Sequence, residues 1–150
     1  MADIFELLKQ DHDKHRDMLA KVADAKGADR KTLFDKFKAE ALSHANAEEQ
    51  SLYSEMMAKP KQQDEARHSV AEHKQIDEYI ETLEKMEPAS EDWMATFVKL
   101  KHRYEHHIEE EEEEMFPHAE KAFSESELEE MGDKFAKRKP AEKKDVKKAA

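Results

Sequence analysis

The 150 residues contain no cysteine, which excludes disulfides, zinc–thiolate sites and iron–sulfur clusters. Glycine occurs 2 times and proline 4 times, too few to punctuate the turns of a sheet. No apolar run is long enough to span a bilayer, and Met1 to Glu6 carries no signal-type stretch, so a cytoplasmic protein without a membrane partner is expected. Charge, by contrast, is abundant. Charged residues make up 42% of the chain against 37% apolar, the balance of amphipathic helices whose outer faces carry the charge. Acidic residues outnumber basic ones, 37 to 26, which argues against nucleic acid as a partner of the body of the protein.

Apolar residues recur at helical spacing in four long runs. The first passes through Ile4, Leu8, Leu19 and Val22, with Asp3 and Glu6 as a start signal and Lys26-Gly27 as a stop. The second carries Leu33, Phe34, Phe37, Ala41, Leu52 and Met56 and ends at Pro60. The third carries Val70, Ile76, Ile80, Leu83 and Met86, and closes before Pro88. Ser90 caps the fourth, which runs through Trp93, Phe97, Leu100, Tyr104, Ile108 and Met115 to about Pro117. Short connections make neighbours antiparallel, so the expected fold is all-α: an up-down-up-down four-helix bundle with a short extra C-terminal helix. The bundle is assigned to residues 1–123. Ser124 and Glu127 open the extra helix, 124–139, through Leu128, Met131 and Phe135. Residues 140–150, rich in Lys and Ala with Pro140 at their start, read as a disordered basic tail.

The core stripes contain polar residues, and they repeat. His12 lies between Leu8 and Leu19; His44 and Glu48 lie between Ala41 and Leu52; His73 lies in line with Ile76 and Ile80; His107 and Glu111 lie between Tyr104 and Met115. His44-x-x-x-Glu48-Glu49 recurs as His107-x-x-x-Glu111-Glu112, and Asp11-His12 recurs as Glu72-His73 at nearly the same offset. With so many Glu residues chance matches are expected, and His68/Glu72 and His106/Glu110 also fit the spacing. A single inward histidine is commonly just a hydrogen-bonded core residue; recurrence at matched core positions is what distinguishes this set.

Burying two carboxylates among four imidazoles costs several kcal/mol unless a cation neutralises them. Imidazole and carboxylate without thiolate suit iron, manganese or zinc, and carboxylates able to bridge favour iron or manganese. A pseudo-two-fold relation between the halves suits two metals bridged by Glu48 and Glu111. Glu112 is expected beside the site, and Tyr53, Tyr79 and Tyr104 read as packing residues, Tyr104 on the ligand stripe. Only Glu65-x-x-His68 has the Glu-x-x-His spacing of ferritin-type sites, which are therefore not expected.

These segments resemble the hemerythrin-like proteins with the HHE cation-binding domain. The match is carried by Leu8 to His12, His44 to Tyr53, Ala71-Glu72-His73, and His107 to Pro117, within about residues 1–120. The resemblance implies an antiparallel four-helix bundle with two non-heme iron ions, oxo- or hydroxo-bridged. It assigns His12, His44, His73 and His107 as terminal ligands and Glu48 and Glu111 as bridging ones. Oxygen-carrying hemerythrins have a His-x-x-x-His pair on the third helix, whereas Ser69 and Asp77 stand one turn either side of His73 here; they also end in His-x-x-x-x-Asp, not His107-x-x-x-Glu111. A further ligand is therefore water, His15, His68 or Tyr104. Two roles follow: a module that binds or senses O2 or nitric oxide, or handles iron and oxidative stress, or else a di-iron oxidoreductase acting on peroxide or nitric oxide. A monomer or weak homodimer is expected.

Overall fold

The computed structural model describes residues 2–149. Helix α1 spans Ile4–Asp24, started by the Asp3 carboxylate, which accepts from the Glu6 amide at 2.9 Å. Gly27 then takes φ of 60°, a left-handed conformation open to a residue without Cβ, and turns the chain into α2. Helix α2 runs over Ala28–Glu48, widens into an i→i+5 turn at Glu49–Tyr53, and resumes as Ser54–Met57. A 3-10 turn at Pro60–Gln62 leads into α3, Gln63–Glu84. Helix α4 starts at Glu91, where the Ser90 hydroxyl accepts from the Trp93 amide at 3.2 Å. It runs to Glu110, widens at Glu111–Met115, and continues as Phe116–Glu120. Pro117 lies in the first turn after the widening, where its missing N–H costs little.

Helices α1 to α4 form the expected bundle, each packed on its chain neighbour and α1 closing against α4. There is no strand among the described residues. The apolar interior divides into two clusters. One is built around Leu8, Leu52, Met56, Phe116 and Met131, the other around Leu19, Phe37, Ile80, Trp93 and Phe97. The polar residues singled out in the sequence form a layer between them.

Helix α5, Glu125–Ala149, lies across α1 and α2. Its start is a capping box: the Ser124 Oγ accepts from the Glu127 amide at 3.1 Å, and Glu127 accepts from the Ser124 amide at 2.8 Å. Leu128, Met131 and Phe135 are buried as expected. Its extent corrects the sequence reading, because the helix does not stop before Pro140 and the described part of the tail is not disordered. Lys139 reaches Asp11 (2.8 Å) and Glu40 (3.0 Å), Lys143 pairs with Glu40, and Glu142 accepts from Gln50 at 2.6 Å. Pro140 faces solvent, so the backbone carbonyl it leaves unpaired is open to water. The basic composition that suggested a solvated tail instead supplies cations to the buried Glu40 and the half-buried Asp11 of the bundle.

Candidate metal centre

The structure brings all six predicted residues into the polar layer, each buried: His12 from α1, His44 and Glu48 from α2, His73 from α3, and His107 and Glu111 from α4. They form two overlapping groups. Glu48, His73, His107 and Glu111 present donor atoms within 4.8 Å of one another, and so do His12, His44 and Glu48. Glu48 belongs to both.

A widened turn follows the first His-x-x-x-Glu pair at once, Glu49–Tyr53 on α2, and begins on the glutamate of the second, Glu111–Met115 on α4. Such a turn inserts an extra residue and resets the helix face. The consequence is visible in burial. The His–Glu pair faces inward, and so do Leu52 and Tyr53 within the first widening and Met56 beyond it, and Met115 within the second and Phe116 and Ala119 beyond it.

Three of the histidines are aimed by carboxylates on their outer nitrogens. Nδ1 of His44 meets Asp11 at 2.9 Å, and Nδ1 of His107 meets Glu72 at 2.9 Å, each within its own half of the repeat. Nδ1 of His12 meets Glu112 at 2.8 Å, and Nδ1 of His73 faces Glu49 at 3.7 Å, each across the halves. Three of these carboxylates are held by cations: Glu112 by Arg16 at 2.9 Å, Asp11 by Lys139, and Glu72 by Arg103. A carboxylate on Nδ1 takes the outer N–H and orients the ring, so that Nε2 faces inward and offers a lone pair once any proton there is displaced. Accordingly Nε2 of His12, His44 and His107 has no hydrogen-bond partner, nor has Glu48 Oε2 or Glu111 Oε1. His107 Nε2 and Glu111 Oε1 stand 2.5 Å apart without hydrogen-bond geometry. Buried polar atoms are rarely left this way. A set of inward lone pairs, all nitrogen or carboxylate oxygen, fits a multivalent cation.

The electrostatics agree. Burial pushes the Glu48 carboxyl up, and the charge of Glu111 adds to it. Glu111 is equally buried, but the His107 imidazolium beside it holds it down. Burial works against charge on His73 and His107 too, yet their carboxylates lift them to about 10 and about 9. Burial dominates at His44, which falls to about 4. Without a cation the centre stores protons as its positive charge.

Tyr53 corrects its assignment as packing alone: its hydroxyl donates to Glu48 at 2.9 Å and lies 3.2 Å from Glu111, spanning both carboxylates. Tyr104 lies 2.7 Å from His15 Nδ1 and lines a cavity of about 10 Å³ with His44, His73, His107 and Glu111, room for about one water-sized ligand. His15 is buried beside His44, whereas His68 is exposed on the outer face and stands apart from the layer. Glu40 was missed. It is buried beneath α5, and the signal was its place one turn before His44 on the Phe37–Ala41 stripe.

The family model for the hemerythrin HHE cation binding domain matches residues 3–119. The chain belongs to that family. The match covers all six residues of the layer and leaves α5 outside. Among solved structures, the chain is similar to a hemerythrin HHE cation binding domain-containing protein from Mycobacterium kansasii, at TM-score 0.86 and 26% identity, over 97% of this chain and 90% of that one. No curated protein sequence matches significantly. As an HHE-domain protein the chain binds metal cations, and its clustered histidines and glutamates are groups able to hold them. No described helix is long and apolar enough to cross a membrane.

Proposed function

We propose that this HHE-domain protein holds two non-heme iron ions and uses them to bind or sense O2 or nitric oxide, or to handle iron under oxidative stress. The observation that carries the reading is the sharing of Glu48 between two buried donor groups. One ion would be held by His12, His44 and Glu48, the other by His73, His107, Glu111 and Glu48. When bound, an iron pair supplies one-electron redox chemistry and open coordination positions. The chain's own residues do the rest. Asp11, Glu72 and Glu112 orient imidazoles, Tyr53 orients both carboxylates, and the apolar clusters on either side exclude water. Iron content per chain together with the near-ultraviolet spectrum tests this. Two irons per chain are expected, falling below one in Glu48→Ala; zinc or a single ion in the parent would sink the reading.

A second reading is an oxidoreductase acting on peroxide or nitric oxide. Its support is that α3 offers the layer only His73. Ser69, one turn earlier, lies 3.0 Å from the Met115 sulfur, and the small cavity beside Tyr104 adjoins His73, His107 and Glu111. Peroxide turnover that exceeds that of free ferric iron and disappears in Glu111→Ala supports it; turnover equal to free iron removes it.

A further inference from the structure

Two His-x-x-x-Glu pairs stand outside the buried layer, His68/Glu72 on α3 and His106/Glu110 on α4, and the fold brings them together on the outer face of these helices. His68 Nε2 is 2.9 Å from Glu110 Oε1 and 3.5 Å from Glu72 Oε1, and donor atoms of all three residues lie within 4.8 Å of one another. His106 Nε2 is 3.5 Å from the other Glu110 oxygen. A groove of about 190 Å³ begins at this cluster, with Asp64, Glu65 and Glu114 in its wall. The same groove is lined by Glu111, which is only 2% exposed and whose Oε1 lacks a hydrogen-bond partner. An exposed imidazole, a half-buried and a buried carboxylate, and Glu111 of the buried layer thus line one cleft.

We infer that His68, Glu110 and Glu72 form an outer site for a divalent cation, from which the ion passes along the groove to Glu111 and the buried centre. The donor set, one imidazole with carboxylates and no thiolate, suits ferrous iron or manganese(II). Arg103 occupies one oxygen of Glu72 and leaves the other facing His68. That second oxygen also accepts from His107 Nδ1, so an ion in the outer site sits one carboxylate away from an imidazole of the layer. Negative walls in a cleft focus the field and raise the capture rate of a cation.

The transfer rests on the di-iron reading; the outer site does not, and two measurements on the full chain separate them. In the first, manganese(II) is titrated into the purified metal-loaded chain, and the loss of its free aqueous EPR signal counts ions bound. One ion bound by the parent and by Glu109→Gln, but not by His68→Ala or Glu110→Gln, establishes the outer site; binding retained in His68→Ala and Glu110→Gln overturns it. In the second, metal-depleted chain takes up ferrous iron anaerobically. His68→Ala should slow uptake at least about five-fold while final iron per chain is unchanged. Glu109→Gln, which removes a charge from an exposed position on the same helix, should leave the rate within about two-fold of the parent. Equal rates in His68→Ala overturn the transfer step, and so does a lowered final content, which would make His68 a residue of the centre itself. A parent that takes up no iron defeats the di-iron reading and the transfer with it, while the manganese count still decides the outer site.

Discussion

At the scale of single residues, each buried imidazole is defined by what holds its outer nitrogen. Asp11 sits at about 2 because, although burial works against its charge, His44 and Lys139 hold it down. Glu112 is likewise at about 2, against burial, through His12 and Arg16. Replacing Asp11 by Asn keeps the shape and removes the charge that aims His44. Such outer partners are typically worth roughly 10–100-fold in metal affinity. Asp11→Asn should therefore lose metal to a competing chelator at a correspondingly lower chelator concentration, with helicity unchanged; unchanged retention would remove Asp11 from that role. The protonated state of the metal-free centre makes a second prediction. With His73 near 10 and His107 near 9, both carry protons at neutral pH, and a cation must displace them. Loading the centre at pH 7 in weakly buffered solution with an indicator dye should release about two protons per chain. Loading without proton release would show that these imidazoles do not meet the metal.

At the scale of elements, α5 behaves as part of the bundle. Gly132 is where it crosses the start of α1: a Cβ there would lie 2.8 Å from the backbone oxygen of Ala2 and 3.2 Å from the backbone of Asp3 and Ile4. Two effects oppose each other in Gly132→Ala. Helix propensity favours alanine by about 1 kcal/mol, while overpacking against backbone costs about 1–3 kcal/mol. Backbone cannot swing aside as a side chain can, so the variant should be less stable, read as a lowered denaturant midpoint; a rise would mean that α5 rides loosely on α1. Farther along, Lys139 and Lys143 converge on Glu40, which lies 3.0 Å from Lys14 as well. Glu40→Gln removes the charge they share. Amide exchange in the last turns of α5 should speed up while exchange in α3 and α4 stays as in the parent.

At the scale of the molecule, the layer sets how stability depends on pH in the metal-free chain. His73 and His107 are raised above their unfolded value, so their contribution is full below about 6.5 and is lost as pH climbs toward 9 and 10. His44 and His15 are lowered by burial, so stability falls as pH drops below about 6.5, where the unfolded chain takes up those protons first. Asp11 and Glu112 add a further loss between about 4.5 and 2. The metal-free melting temperature should therefore peak near pH 6.5 and fall on both sides. Metal held at about 1,000 times its dissociation constant adds roughly 4 kcal/mol, or roughly 10 °C in a chain of this size. A flat metal-free profile, or a melting point indifferent to chelation, would contradict the account of the layer as a proton store displaced by cations.

The sequence by itself determined the four amphipathic helices and their order, because apolar spacing, Asp3, Ser90 and the scarce Gly and Pro are local signals. It also determined which six side chains enter the layer, since a histidine or glutamate on an apolar stripe is carried inward with it. Tertiary structure decided what local rules could not. The widened turns after Glu48 and Glu110 depend on how both flanking faces pack. The Tyr53 hydroxyl bridges two helices, and the carboxylates of each half reach across to imidazoles of the other. The course of α5 past Pro140 was settled the same way. Its composition argues for a solvated tail, and only the buried Glu40 and the half-buried Asp11, distant in sequence, give its lysines a reason to dock.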